Sequence, residues 1–270
     1  MLKIKSYVRA SSLEEAYVLN QKRSACILGG MLWLKMGNRN VSTAIDLSGL
    51  GLNTIQETEE EFVIGCMTAL RELELHPGLH AFTQGAMKES LRHIVGVQFR
   101  NCATVGGSLW GRYGFSDVLT MFLALDARVE LYKRGMVSLE EFAVMEKDRD
   151  ILVRIHIKKD PRKTVYLSQR NTKTDFPVLA CCASLCGEAS RTVIGARPGR
   201  AMAVADEKEI LKGFASMDET EKKEAAAAFG RYAAEKVPVS GNMRGSEEYR
   251  RLLVEVLTRR AWEGIGGMKG

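Results

Sequence analysis

Two short stretches hold the residues best suited to chemistry. Ile27-Leu-Gly-Gly-Met-Leu-Trp33 and Thr104-Val-Gly-Gly-Ser108 each set a Gly-Gly pair behind a short apolar run. Glycine permits unusual backbone angles and, lacking Cβ, lets a ligand reach the main-chain N–H groups. A strand, a Gly-Gly turn and a helix in succession also aim the positive end of the helix at that place, which suits a phosphate. The candidates are therefore Ile27, Leu28, Gly29, Gly30, Met31, Leu32 and Trp33 at the first turn. Thr104, Val105, Gly106, Gly107 and Ser108 are the candidates at the second. Asp117 follows, and an ionised carboxylate, being a pure acceptor, suits a sugar-type hydroxyl. Neither turn matches G-x-G-x-x-G or the Walker A loop. Alone, each reads better as a structural turn; converging, the two would grip a long diphosphate cofactor between two subdomains.

Other chemistries find little support. No side chain is assigned as a catalytic acid, base or nucleophile. The six cysteines lack a C-x-x-C pair and read as small buried hydrophobes in a reducing compartment. Cys181 and Cys182 are adjacent on a strand and so point to opposite faces, which disfavours one shared metal ion, and no metal site is assigned. The net charge of +6 on 270 residues is too mild to indicate nucleic acid. The N-terminal residues carry charges throughout and lack the apolar core of a signal peptide. No run of about 18 apolar residues suggests a membrane span, so the expected location is the cytoplasm.

The elements that must position these turns follow from the pattern. Ser12 and Glu15 form a capping box opening a short helix. Ala25–Leu28 and Thr43–Leu47 read as strands, with Met31–Met36 helix-like between them. A helix over 68–75 is expected to break at Pro77-Gly78, and 79–95 to form one amphipathic helix. Ala103–Val105 reads as a strand, Asp117 as the N-cap of the next helix, and Val129–Tyr132 and Ile151–Ile157 as antiparallel strands. After Thr164 come three strands spaced as a meander and three helices, 206–214, 220–235 and 246–265. The last carries a stripe of Tyr249, Leu252, Leu253, Val256, Leu257 and Trp262.

At this point several motifs add up to a resemblance. Arg100–Ala127, reading RNCATVGGSLWGRYGFSDVLTMFLALDA, resembles the flavin-binding segment of the FAD-binding medium subunits of molybdenum hydroxylases, the xanthine dehydrogenase and carbon monoxide dehydrogenase family. SSLEEA, ILGGMLWLKM, IGCMTALREL, ARPGRA and RGSEEYRRLLVEVLTRRA fall in that family's order and span nearly the whole chain. The resemblance implies an α+β fold. A two-subdomain α/β FAD-binding domain of the PCMH or vanillyl-alcohol-oxidase type would occupy residues 1–160, divided at about 54/55. An antiparallel sheet with helices would follow over 161–270. It further implies FAD as cofactor, with Ile27–Trp33 along the pyrophosphate and adenosine, Thr104–Ser108 around the second turn, and Asp117 toward the ribityl chain.

The implied function is electron transfer. A large molybdopterin-binding subunit would hydroxylate the substrate, a small [2Fe-2S] subunit would relay electrons, and the FAD would pass them to NAD+ or another acceptor. The absence of iron–sulfur cysteine motifs here places those clusters in other chains. Four departures from the family pattern stand out. Met31-Leu32 occupies the usual Thr-Asp position, Ser108 replaces Asn, the 142–151 segment is short, and Leu167 lies where Lys is frequent. They keep two alternatives open: a docking subunit with a degenerate FAD site, and a free-standing flavin oxidoreductase.

Overall fold

The computed structural model describes residues 1–268. The chain begins with β1 (Lys3–Arg9), α1 (Leu13–Asn20), β2 (Ala25–Leu28), β3 (Asn40–Asp46), β4 (Ile55–Glu57) and β5 (Glu61–Gly65). A run of short helices follows: α2 (Leu70–Leu75), α3 (Pro77–Phe82), α4 (Ala86–Leu91), α5 (Val97–Cys102), α6 (Val105–Gly111) and α7 (Asp117–Ala124). Next come β6 (Arg128–Leu131), β7 (Gly135–Ser138), α8 (Leu139–Val144) and β8 (Leu152–Lys158). The C-terminal part holds β9 (Lys163–Gln169), β10 (Leu179–Cys186), β11 (Ala189–Gly195), β12 (Met202–Val204), α9 (Glu219–Lys236) and α10 (Glu247–Ile265). Two compact units result. One comprises Met1–Leu73, Val97–Gly111 and Ala127–Lys158; the other comprises Glu74–Gly96, Arg112–Asp126 and the chain from Lys159 onward.

The first unit contains two sheets. β1, β3 and β2 form a parallel sheet in that spatial order, and β4-β5-β8-β6-β7 form an antiparallel one. Leu28, Val41 and Ala44 make the small core of the parallel sheet, with Met31 and Leu34 packed on it. The loop leading into β2 is held from a distance. The Arg149 guanidinium donates to the carbonyls of Asn20, Lys22 and Arg23 at 2.8, 2.6 and 2.7 Å. Asn20 Nδ2 returns a bond to the Arg149 carbonyl at 2.8 Å. Five donor positions in a rigid fork make arginine suited to clamping several carbonyls at once.

The second unit is built on an antiparallel sheet in the order β12-β11-β10-β9. Its larger core lies against α9 and α10, where Phe214, Phe229, Leu253, Leu257 and Trp262 are buried. Burying each such side chain contributes about 1.5–3 kcal/mol. Asp218 and Glu221 form a capping box at the start of α9, and Ser246 caps α10. Cys181 on β10 faces Thr258 of α10, and Cys182 faces Met121 of α7, at 3.9 and 3.7 Å. The two thiols thus lie on opposite faces, as strand alternation requires.

Several local expectations are corrected. Ala103–Val105 is not a strand: α5 ends at Cys102, α6 begins at Val105, and only Thr104 makes an isolated bridge, to Ala69. Met31–Met36 gives one 3-10 turn, Leu34–Met36, rather than a helix. The single helix over 79–95 is two, broken where Gln84 and Gly85 take positive φ (48° and 88°). Pro77 starts α3 at its first turn, where its missing N–H costs nothing. Residues 206–214 form turns, because the Asp206 carboxylate accepts from the Ile210 and Leu211 amides and competes with a helix start. Ser116 rather than Asp117 caps α7. Ser12 caps α1, but the Glu15 carboxylate reaches back to Ser11 instead of completing the box. On α10, Tyr249 and Leu252 leave the stripe and are exposed.

Candidate functional site

The first glycine turn lies at the carboxyl end of β2, the end of a parallel sheet where ligands bind in open α/β folds. It is shaped by close approach. A Cβ on Gly30 would stand 1.9 Å from the Cys102 carbonyl oxygen, and one on Gly29 would stand 2.8 Å from Thr104 Oγ1 and 3.6 Å from the Gly107 Cα. The two turns therefore converge within the first unit, backbone against backbone. Met31 then turns the chain through the left-handed region at φ 59°, which costs an L-residue about 1–2 kcal/mol.

That turn leaves donors in excess. The N–H groups of Gly30, Met31 and Leu32 have no acceptor among the described residues. Successive amides bracketing a left-handed residue form a concave nest for an anion. The loop then closes by Lys35 N–H donating to the Met31 carbonyl at 2.9 Å. Beside it, Trp33 is 37% exposed and meets the Phe99 ring edge-on at 6.0 Å. Leu28 is buried in the core, whereas Ile27, Gly29, Gly30, Met31 and Leu32 are half-buried.

The second turn is built differently. Gly106 and Gly107 lie inside the first turn of α6, and their amides are used. Gly106 N–H donates to the Cys66 carbonyl at 2.8 Å, Val105 N–H to the Thr68 carbonyl at 3.0 Å, and Gly107 N–H to Thr104 Oγ1 at 3.2 Å. Ser108 Oγ donates to the Thr104 carbonyl at 3.1 Å. A Cβ on Gly106 would lie 2.6 Å from the Cys66 oxygen. Thr104, Val105 and Gly106 are buried, Ser108 is half-buried and Gly107 is exposed.

The segment that receives these bonds, Ile64–Leu73, was not among the candidate residues. Its Gly65 lets the Leu52 carbonyl approach within 2.2 Å of the would-be Cβ, and its Thr68 Oγ1 donates to the Thr54 carbonyl at 3.2 Å. The Gly-x-x-Thr spacing in IGCMT was the available signal. Burial pushes the Cys66 thiol there up to about 12, so it stays neutral.

Asp117 belongs to the second unit and is 5% exposed. Its carboxylate accepts from the Tyr166 hydroxyl, and from Arg170 Nη2 at 2.5 Å. Arg170 in turn donates to Ser168 Oγ at 3.2 Å and to the Asp175 carbonyl at 2.6 Å. Burial raises the carboxyl pKa, opposed by the guanidinium and the phenol. Burial and the neighbouring carboxylate hold Tyr166 well above its ordinary value, so it stays a donor. Among the described residues no three His, Cys, Asp or Glu side chains gather as an ion site, and no helix is long and apolar enough to cross a membrane.

A nest of unpaired amides at the carboxyl end of a parallel sheet, pressed against a second glycine-bearing segment, fits the diphosphate of FAD. The fit rests on main-chain donors, so Met31 and Leu32 need supply no side-chain group.

Comparisons with known proteins identify the family. A family model described as the FAD binding domain in molybdopterin dehydrogenase matches residues 2–159. The nicotine 6-hydroxylase medium subunit of Paenarthrobacter nicotinovorans is 27% identical, over 94% of each chain. YgfM of Escherichia coli K12 is 26% identical, over 94% of this chain and 93% of its own. Among solved structures, reconstituted CO dehydrogenase from Oligotropha carboxidovorans superposes with a TM-score of 0.84 at 21% identity, covering 99% of both chains. Quinoline 2-oxidoreductase from Pseudomonas putida 86 gives 0.82 at 20% identity, covering 99% of this chain and 97% of its own. The α+β fold is thus shared with these structures, and the chain belongs to the FAD-binding domain family of molybdopterin dehydrogenases, the flavoprotein components of oxidoreductases.

Proposed function

We propose that this chain is the electron-transfer flavoprotein subunit of a molybdenum hydroxylase complex. A small subunit with [2Fe-2S] clusters delivers electrons from a large molybdopterin subunit, and this subunit hands them to NAD+ or another acceptor. The observation that carries the reading is the triad of acceptor-less amides at Gly30, Met31 and Leu32. When bound, FAD supplies the redox chemistry, accepting electrons and releasing them to the acceptor.

The chain's own residues bind and orient. The Gly30–Leu32 amides hold the pyrophosphate, and Trp33 offers an aromatic face to the adenosine. Thr104–Ser108 brace the first turn from behind. Residues 1–160 would carry the flavin site and 161–270 the C-terminal domain. For Asp117 we infer a positioning role: it is buried, and its Oδ1 is already held by Tyr166 and Arg170. All six cysteines are free, in keeping with a cytoplasmic setting.

The test is gentle purification of the complex and a flavin count. Near-equimolar FAD, bleached when the hydroxylase substrate is added and recovered with NAD+, supports the reading. A flavin-free complex that still assembles with its partners makes this a docking subunit. Flavin reduced by a substrate with no partner present makes it a free-standing oxidoreductase.

A further inference from the structure

The three-stranded parallel sheet is polarised and has an uncovered edge. Among the described residues β1 pairs only with β3, and its residues Lys3 to Tyr7 are exposed on both faces, Ile4 at 40% and Tyr7 at 59%. Parallel sheets are ordinarily covered on both faces. Residues 1–50 hold seven Lys or Arg against three acids, a surplus of four out of the whole chain's +6. The topology sorts these charges. Glu14, Glu15 and Asp46 all lie toward the carboxyl end of the strands, where α1 begins and β3 stops, with the cation Arg9 paired opposite Asp46. Lys3, Lys22, Arg23 and Arg39 lie at the amino end. There Lys3 N–H donates to the Arg39 carbonyl at 3.0 Å, and Ser42 N–H to the Ser24 carbonyl at 2.9 Å.

The side chains of Lys3, Lys5, Lys22, Arg23 and Arg39 are exposed and make no hydrogen bond or ion pair among the described residues. Two acids flank Arg149, whose guanidinium holds the Lys22 and Arg23 carbonyls, and both are already engaged. Asp148 pairs with Arg134 at 2.8 Å, and Asp150 accepts from the Lys133 and Arg134 amides. Because Lys3 turns its N–H toward β3, strand alternation turns the N–H of Ile4 outward. A neighbouring strand laid on β1 would find free main-chain groups flanked by unpaired cations.

Resting on the proposed role as one subunit of a redox complex, we propose that the outer edge of β1 docks an acidic, extended segment of a partner subunit, added as a fourth strand. Main-chain pairing gives such a junction its affinity, and charge complementarity its register and rate of encounter. A second copy of this chain is disfavoured, because it would bring its own lysines against these; lysine on an edge deters self-pairing.

The experiment uses the complex expressed with its partner chains and recovered through a tag on this chain. Two variants are compared with wild type: a triple reversal, Lys3→Glu with Lys5→Glu and Arg39→Glu, and the single change Ile4→Pro. The proline removes an outward N–H while leaving the β1–β3 ladder bonds in place. Partner recovery is expected to fall at least tenfold in both. FAD per chain and melting temperature should stay near wild type, and the wild-type complex should release its partner as salt rises. Wild-type partner recovery in both variants overturns the proposal. So does loss of a self-dimer, or loss of binding to phosphatidylserine vesicles, with the complex intact. Absence of FAD from wild type would count against the flavoprotein reading instead, since partner recovery is scored separately.

Discussion

The two glycine turns look alike in sequence and are opposites in structure. At Gly29-Gly30 the chain leaves a strand, passes through a left-handed methionine and presents three amides with no acceptor among the described residues. At Gly106-Gly107 the chain is already helical, and its amides are tied to Cys66, Thr68 and Thr104. On the proposed reading the first turn meets the ligand and the second is its buttress. The lesson is that a Gly-Gly pair reports close approach of something to the backbone, and only the hydrogen-bond ledger says whether that something is a ligand or the protein itself.

This contrast can be broken most sharply at Gly30. Gly30→Ala forces a methyl into the Cys102 carbonyl. It should cost about 4–5 kcal/mol, in the range reserved for severe backbone conflict, and abolish FAD binding by absorbance even in whatever folds. Arg170→Met is the control in the other unit. It strands the buried Asp117 carboxylate and should lose about 3–5 kcal/mol in urea melts, without altering FAD affinity in the folded fraction. If affinity collapses instead, Asp117 serves the flavin directly.

Gly106→Ala sits at the buttress. It should cost about 1–3 kcal/mol through overpacking, and the folded fraction should still titrate with FAD at one per chain. Equal loss of flavin by Gly30→Ala and Gly106→Ala at matched stability would erase the distinction between the turns. Thiol labelling at pH 8 offers a milder probe. Cys102 is exposed, whereas burial pushes Cys66 and Cys181 up to about 12, leaving them neutral and unreactive. Mass spectrometry should find Cys102 modified first, and FAD should slow that modification because Gly30 packs on its carbonyl. The smallest effect belongs to Met31→Gly. Relief of the left-handed φ contributes about 1 kcal/mol, lost Met31 packing offsets part of it, and FAD content should be unchanged.

How much of this was legible beforehand depended on whether the signal was local. The C-terminal meander, α9 and α10 followed from alternation, the good helix formers around Ala225–Ala228 and the apolar spacing of Leu253, Leu257 and Trp262. The first glycine turn was visible as a strand followed by glycines. What stayed hidden was set by distant partners. Thr104 and Val105 have strand-like side chains, yet they lead into a helix because the 65–70 segment takes the Val105 N–H and the Ala103 carbonyl. Residues 79–95 carry a helical stripe, but Thr83 Oγ1, accepting from the Met87 amide, starts a new helix after the Gln84-Gly85 turn. Asp117 looked free to meet a sugar because its partners, Tyr166 and Arg170, lie about fifty residues away. β1 went unread: its seven residues, alternating Lys, Ile, Lys, Ser and Tyr, show no core-facing side.

The placement of Trp33 and Trp262 gives each unit its own spectroscopic voice. Trp262 is fully buried and its indole N–H donates to Thr192 Oγ1 at 2.9 Å. Its emission should be blue-shifted and should move red only when the C-terminal sheet melts. Trp33, standing partly open beside the amide nest, should emit further to the red and fall dark by energy transfer as flavin arrives. A single fluorescence titration thus separates cofactor binding in one unit from unfolding in the other.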